Sequence, residues 1–418
     1  MIQRSVLPNG LTVVTERMPD VRSVAVGVWL RRGSRHEVPE QGGISHFIEH
    51  MVFKGTETRS AARIAEEVDS IGGHMDAFTS KEYAAFHLKV LDENLPLAVD
   101  ILGDVVLHPL FDARDVAKEK KVVFEEMGMV EDTPDDLVME LFSEVFWPDH
   151  PLGRPILGTR KVVAGFERSE LLSFFRRVYH PGNIVVAAAG RLDHEQVCRL
   201  VERDFAGLRP GRPGQHTRPP TPASRVVTRD KKQLEQVHLC LGLPAYSQVH
   251  PGRHASYVLN TILGGSMSSR LFQNVREKRG LVYSISSGIA AYADTGNLTI
   301  YAGTSRAALD EVLGLVLDEL RLLRDEMVPE TELRRAKDHL KGSLMLGLES
   351  TGSRMSHLAR HEIYHGRTVT LDETLDAVEA VDAVQVQRAA QALFGGPLAL
   401  SVLGRLDGWR PRRTHLRM

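Results

Sequence analysis

One apolar pattern occurs twice in this chain and constrains the fold more than any other feature. An apolar run over residues 183–189 leads into Gly-Arg-Leu-Asp at 190–193, and a second run over 398–403 leads into the same four residues at 404–407. The offset of 214 residues is about half of the 418-residue chain, which indicates a duplicated domain rather than a short solenoid repeat. Chance reuse of one turn sequence is the alternative interpretation.

The boundary between the two halves is predicted from Pro and Gly. Residues 208–222 are dense in both residue types, which resist helix and strand alike. We therefore predict a first domain over residues 1–209, a linker over 210–224 and a second, homologous domain over 225–418.

Within each half, strand patterns come first and helix patterns follow. Residues 11–17 and 23–31 are typical of strands, whereas 43–53 and 112–131 are typical of helices. The second half repeats this order, with a strand near 236–243 and then helices. The sequence predicts an α+β protein built from two homologous sheet-and-helix domains in tandem.

Composition excludes several classes of function. Lys and Arg total 52 against 54 for Asp and Glu, so the chain lacks the basic excess of nucleic-acid binders. No apolar run approaches the roughly 18 residues of a membrane span, and the N-terminus lacks a signal-peptide pattern. Cys198 and Cys240 are far apart and outside any CxxC motif, which fits reduced thiols. We expect a cytoplasmic protein without nucleic-acid or membrane partners.

The most informative motif is His-Phe-Ile-Glu-His at residues 46–50. On a helix, His46 and His50 lie one turn apart on one face, so both imidazoles can reach one ion while Glu49 flanks it. This is the inverted zincin pattern, H-x-x-E-H. The alternative is a pair of surface histidines on an amphipathic helix. Catalytic zinc normally has three protein ligands, so a third ligand must come from elsewhere in the chain.

Over nearly its whole length, the chain resembles the M16 family of zinc peptidases, which includes pitrilysin, insulin-degrading enzyme and the mitochondrial processing peptidase. The resemblance implies a Zn²⁺ cofactor and a third ligand 76 residues after His50, which is Glu126. It also implies a further functional glutamate seven residues earlier, Glu119, on the same helical face. The alternative for any glutamate on a charged helix is a solvated side chain.

Two other segments carry the resemblance. Residues 72–80 are similar to the family segment that leads into a substrate-pairing edge strand, so a peptide is expected to add as a strand near Ala77–Leu88. Asp76 stands where many members have Asn. Arg276 and Tyr283 resemble the Arg/Tyr pair of the family, with the same spacing of seven. Considered alone, Arg276 fits a surface helix charge and Tyr283 a half-buried strand residue.

The duplicated half serves as an internal control for the metal site. Aligning Ser45 with Ser256 places Tyr257, Asn260 and Thr261 at the positions of His46, Glu49 and His50. The second domain is therefore expected to lack zinc ligands and to carry the Arg/Tyr pair.

These residues predict a zinc-dependent endopeptidase acting on unfolded peptides or presequence-like segments. His46, His50 and Glu126 would hold the ion, Glu49 would act as general base, and Glu119 would orient the site. Tyr283 and Arg276 would stabilise developing negative charge. The alternatives are a noncatalytic subunit of the same fold and a metal-binding scaffold. The resemblance also implies a homodimer, or a heterodimer with a related subunit, because relatives of about twice this length place the pair in the half opposite the zinc.

Overall fold

A computed structural model describes residues 1–211 and 218–412, which form two compact units. Unit 1 comprises the described residues of Met1–Gly128, Arg154–Arg218 and Leu346–Val369, and unit 2 comprises those of Met129–Gly153, Pro219–Met345 and Thr370–Met418. Residues 212–217, which belong to the predicted linker, lie outside the described residues.

The strands of the described residues belong to two sheets, one in each unit. In chain order they are β1 (Ile2–Val6), β2 (Thr12–Arg17), β3 (Ser23–Leu30), β4 (His74–Thr79), β5 (Ala84–Leu91), β6 (Ile184–Gly190), β7 (Val226–Asp230), β8 (Val237–Pro244), β9 (Val282–Ala291), β10 (Gly296–Thr304) and β11 (Ala399–Gly404).

A π-helical turn at Phe272–Glu277 precedes β9. In chain order the α-helices are α1 (Ile44–Val52), α2 (Ala61–Ser70), α3 (Leu95–Leu107), α4 (Ala113–Asp132), α5 (Pro134–Phe146), α6 (Arg160–Gly165), α7 (Arg168–Val178), α8 (His194–Asp204), α9 (Arg253–Leu263), α10 (Leu309–Asp325), α11 (Glu330–Gly347), α12 (Thr351–His365), α13 (Leu371–Glu379) and α14 (Ala383–Phe394).

The two sheets have the same topology, which confirms the predicted pair of homologous α+β domains. The strand order is β1-β2-β6-β3-β5-β4 in unit 1 and β7-β11-β8-β10-β9 in unit 2. Apart from β1, each strand has a counterpart at the same position. In both sheets one pair is parallel, β2 with β6 and β7 with β11, and the other pairs are antiparallel.

The repeated Gly-Arg-Leu-Asp sequence has the same structural role in each unit. Gly190 ends β6 with φ 139°, and Gly404 ends β11 with φ 147°. A Cβ on Gly190 would lie 2.2 Å from the carbonyl oxygen of Ser23, and one on Gly404 would lie 2.7 Å from that of Gln236. Only glycine tolerates both the backbone conformation and this approach, so the repeat marks one strand junction used twice.

Alternation of side chains lets strand β3 pack on both of its faces. Val24, Val26 and Val28 belong to the core beneath α1 and α3, while Ala25 and Trp29 point to the opposite face. That second face is covered by α12 through Met355, Leu358 and Ala359. The continuous apolar sequence of β3 is therefore that of a central strand covered on both sides.

The units differ from the predicted chain division in two helices. Helix α5, from the first half of the chain, belongs to unit 2, where its Phe142 packs with Cys240 and Ala399. Helix α12, from the second half, belongs to unit 1. Each half of the chain thus contributes one helix to the unit built mainly from the other half.

Two further expectations concern cysteines and membrane spans. Cys198 is partly buried, Cys240 is buried, and both thiols are free. None of the helices in the described residues combines the length and the apolar character needed to cross a bilayer.

Candidate metal centre

Helix α1 starts at a position that only glycine can occupy. Gly43, its N-cap, has φ 94°, and a Cβ there would lie 2.5 Å from the carbonyl oxygen of Leu157. The buried carboxylate of Glu37 accepts hydrogen bonds from the Gly43 and Ser45 N–H groups, each at 2.8 Å. Glu37 therefore satisfies amides that have no partner within the helix. Sequence reasoning missed this anchor.

The three predicted zinc ligands converge in unit 1. His46 and His50 lie on α1 with ring centroids 4.6 Å apart, and Glu126 reaches them from α4. The Nε2 atom of His46 lies 3.7 Å from Glu126 Oε2, and that of His50 lies 3.4 Å from Glu126 Oε1. One ligand atom from each residue falls within 4.8 Å of the other two, and no other such trio of His, Cys, Asp or Glu occurs in residues 1–211 and 218–412.

The chemistry of this cluster fits a zinc ion. Oε2 of Glu126 is buried and has no hydrogen-bond partner. Two ligands bound at about 2.0–2.2 Å to one tetrahedral zinc lie about 3.4 Å apart, close to the separations found here. Burial, aided by the charge of His50, lowers the pKa of His46 to about 4, so this imidazole is neutral and ligand-competent at neutral pH.

Glu119 supports the cluster from one side. Its buried carboxylate lies 3.2 Å from His50 Nδ1 and 2.9 Å from Lys54 Nζ. A carboxylate on the second ring nitrogen fixes the tautomer and orientation of a metal-binding histidine, leaving Nε2 free for the ion.

Glu49 makes its side-chain hydrogen bond to edge strand β4. Its Oε2 accepts a hydrogen bond of 2.5 Å from the Thr79 hydroxyl. Burial raises the pKa of Glu49, with the Thr79 hydrogen bond acting in the opposite sense. A carboxylate with a raised pKa beside a metal cluster is suited to accept and return a proton.

A cleft of about 540 Å³ opens next to these groups. Glu49 and His50 form one wall, β4 contributes residues 74–77, and α2 contributes an apolar surface. Of the predicted substrate-pairing range Ala77–Leu88, only the β4 part lies at the sheet edge, because β5 is paired on both sides. His74 starts β4, and the exposed Asp76 accepts a hydrogen bond from the next backbone N–H.

Arg276 and Tyr283 lie together in unit 2. The Nε atom of Arg276 donates a 2.9 Å hydrogen bond to the Tyr283 carbonyl, and its guanidinium stacks over the Phe272 ring at 4.7 Å. Arg276 lies on the π-helical turn, and the Tyr283 side chain at the start of β9 is 78% exposed. The backbone contact fixes the arginine and leaves the phenol projecting into solvent.

Helix α9 is the counterpart of α1 in unit 2, and its polar groups form hydrogen bonds within that unit. In α9, Asn260 accepts a 2.8 Å hydrogen bond from Ser287. The Thr261 hydroxyl donates to the Tyr257 carbonyl at 3.0 Å. At the positions aligned with Glu49 and His50 of α1, unit 2 therefore makes local hydrogen bonds.

A second His/Glu pattern, missed by the sequence reasoning, lies on α12: His361-Glu362-Ile363-Tyr364-His365 matches H-E-x-x-H. Here the glutamate is unavailable for catalysis. Buried Glu362 accepts paired hydrogen bonds from Arg4 at 2.9 and 3.0 Å and another from Arg31 at 3.1 Å. Its charge is neutralised by two guanidinium groups, so it is not a general base.

The duplicated sheet-and-helix fold and the inverted histidine motif completed by Glu126 define the inverted-zincin class of zinc peptidases. The chain belongs to peptidase family M16. The model "Insulinase (Peptidase family M16)" matches residues 12–160, and "Peptidase M16 inactive domain" matches residues 165–340. The description of the second model agrees with the absence of the motif from α9.

Similar proteins are named as zinc proteases. "Uncharacterized zinc protease YmxG" of Bacillus subtilis (strain 168) is 44% identical over 96% of this chain and 98% of its own length. "Uncharacterized zinc protease SCO5738" of Streptomyces coelicolor is 40% identical over 99% and 92% respectively.

A solved structure supports the fold independently. The crystal structure of "peptidase M16 inactive domain from Pseudomonas fluorescens" has a TM-score of 0.91 at 21% identity, covering 98% of this chain and 100% of that one.

Proposed function

We propose that this protein is a zinc-dependent endopeptidase that cleaves unfolded peptides or presequence-like segments. The observation that carries the proposal is the convergence of His46, His50 and Glu126 within 4.8 Å, beside a glutamate that is not needed as a ligand. The cleft next to this cluster provides space for a peptide.

In this proposal the roles within unit 1 are divided among separate side chains. His46, His50 and Glu126 hold Zn²⁺, which supplies a Lewis acid that polarises the scissile carbonyl and acidifies water. Glu49 accepts the proton of the attacking water and passes it to the leaving amine. The Thr79 hydroxyl holds the Glu49 carboxylate in position by a hydrogen bond, and Glu119 holds His50 in position.

Arg276 and Tyr283 are proposed to complete the reaction centre as hydrogen-bond donors to the oxygen on which negative charge develops. The exposed Tyr283 phenol, anchored through its backbone to Arg276, is available to a bound peptide. We propose that these residues act on a substrate held by another subunit, in a homodimer or in a heterodimer with a related chain.

Substrate binding is proposed to occur by strand addition to β4. This strand pairs on one side with β5 and leaves its other edge open beside Glu49. Backbone hydrogen bonds give affinity with little sequence demand, but they require an extended peptide. A folded protein hides its backbone and is expected to resist cleavage.

The two free thiols support a reducing compartment, and we propose a cytoplasmic location.

A matched pair of substrates tests the proposed activity: one disulfide-bonded protein in its native form, and the same protein reduced and carboxymethylated. We expect the zinc-loaded enzyme to cleave only the unfolded form, as read by mass spectrometry. Chelation should abolish cleavage, and added zinc should restore it. His50→Ala, purified identically, controls for contaminating proteases. Failure to cut the unfolded form would favour a noncatalytic subunit, and equal cutting of both forms would contradict strand addition.

A further inference from the structure

Helix α12 carries three histidines at intervals of one helical turn, His357, His361 and His365. They lie along one side of the helix, while Met355, Leu358 and Ala359 face the sheet of unit 1. The proposed peptidase activity does not use the first two of these imidazoles.

The geometry of His357 and His361 resembles that of the histidine pair in the metal centre. Their ring centroids are 3.9 Å apart at an interplanar angle of 50°. The corresponding values for His46 and His50, also four residues apart on a helix, are 4.6 Å and 61°. This spacing lets two imidazoles reach one ion.

The hydrogen bonds of these two rings leave the Nε2 atom of each without a partner. Nδ1 of His361 lies 3.3 Å from the carbonyl oxygen of Val369. Only a protonated nitrogen can donate to a carbonyl, so this contact places the proton on Nδ1 and leaves the Nε2 lone pair free. Nε2 of His357 is buried without a hydrogen-bond partner.

The protonation state of both histidines also suits a ligand. Burial, reinforced by Arg360 and Arg354, lowers the pKa of His357 to about 4. Burial lowers the pKa of His361 to about 3, with the neighbouring His357 and His365 acting in the same direction. Both rings are therefore neutral at pH 7, as metal binding requires.

We infer that His357 and His361 form a second site for a divalent first-row transition-metal ion, with water completing its coordination. Imidazole suits Zn²⁺, Ni²⁺ and Cu²⁺. The site is weaker than the metal centre, since it has two protein ligands in place of three and lies near Arg360 and Arg354. Arg354 is itself paired with Glu16, which reduces its repulsion. Glu362 is bound by Arg4 and Arg31, so this site binds metal without hydrolysing peptides.

Calorimetry on the full-length protein tests the inference. Protein loaded with one equivalent of zinc is titrated with ZnCl₂ at neutral pH. We expect about one further equivalent to bind more weakly than the first. In His357→Asn/His361→Asn the second event should be lost or weakened at least about tenfold, with the first zinc and the peptidase activity unchanged. His339→Asn, which changes an exposed histidine of α11, should keep both events.

A second measurement uses the wild-type chain and does not depend on the folding of any variant. Excess zinc should slow carbethoxylation of His361 by diethylpyrocarbonate, read by mass spectrometry, but not that of His339. Absence of a second binding event in the wild type, its persistence in the double variant, or equal carbethoxylation of His361 with and without zinc would overturn the inference.

Discussion

At the scale of single residues, Glu49 and His50 are neighbours in the chain but are held by different elements. The Glu49 carboxylate is fixed by Thr79 on β4, whereas His50 is fixed by Glu119 and faces Glu126, both on α4. Successive positions on a helix point about 100° apart, so one short motif serves two partners. This separation lets a proposed ligand and a proposed base be tested independently.

Glu37 is the residue whose importance was least visible in the sequence. No motif marks it, because its role depends on a loop that returns the carboxylate to the start of α1. Burial raises its pKa to about 7, although the Ser45 and Gly43 N–H groups oppose that shift. Sequence spacing identifies groups on one helix face but not a contact formed by a loop.

We predict that Glu37→Ala lowers the free energy of unfolding by about 1–3 kcal/mol, because two buried N–H groups lose their acceptor. Loosening the start of α1 should also speed zinc release from His46. Thermal melts and zinc dissociation into a chromogenic chelator measure the two effects. Glu40→Gln, at an exposed position nearby, is the matched control. Equal behaviour of the two variants would exclude the anchoring role of Glu37.

At the scale of elements, periodicity predicted strands β2, β3 and β8 and helices α1 and α4. It did not predict the exchange of α5 and α12 between units. An apolar stripe shows that a helix face is buried but does not identify the sheet that covers it. The predicted substrate-pairing strand covered Ala77–Leu88. The structure divides this range between β4 and β5, because the chain turns at residues 80–83.

Helix α12 gives a prediction for the pH dependence of stability. Because the folded state lowers the pKa of His357 and His361 to about 4 and about 3, the unfolded chain binds more protons from about pH 6.5 down to about pH 4. The free energy of unfolding should therefore fall as the pH falls through this range, by about 1.4 kcal/mol per pH unit for each histidine.

Thermal melts of the wild type and of His357→Asn/His361→Asn between pH 7 and pH 4 test this prediction. The variant should lose stability less steeply. His46, whose pKa burial also lowers, contributes to both proteins and cancels in the comparison. Parallel curves would contradict the prediction.

At the scale of the whole molecule, the repeated Gly-Arg-Leu-Asp sequence led to the duplicated architecture, and Gly190 and Gly404 show why it was informative. Each glycine ends a central strand where a side chain would strike the neighbouring backbone. The candidate ligand Glu126 was reached through family resemblance, since its distance in sequence from His50 gives no local signal of contact. The fold and the cluster of candidate ligands were thus largely predictable, but the loop contacts that support them were not.

The proposed dimer gives a complementation test. Glu49→Gln and Tyr283→Phe are each expected to be inactive, and subunit exchange between them should create mixed dimers with one intact pair of Glu49 and Tyr283. With random exchange, activity should recover to roughly a quarter of wild type, because active-site groups act as a unit. Absence of recovery despite demonstrated exchange would reject the shared site and leave the zinc ligands unaffected.

The most direct test of the central claim is to measure bound zinc and peptide cleavage on the same preparation of Glu49→Gln. The account predicts about one zinc per chain, as in the wild type, and cleavage slowed by about 10²–10⁴-fold, since the base is lost while the ligands remain. Glu125→Gln, at an exposed position on α4, should match the wild type in both. Near-wild-type cleavage by zinc-loaded Glu49→Gln would contradict the account.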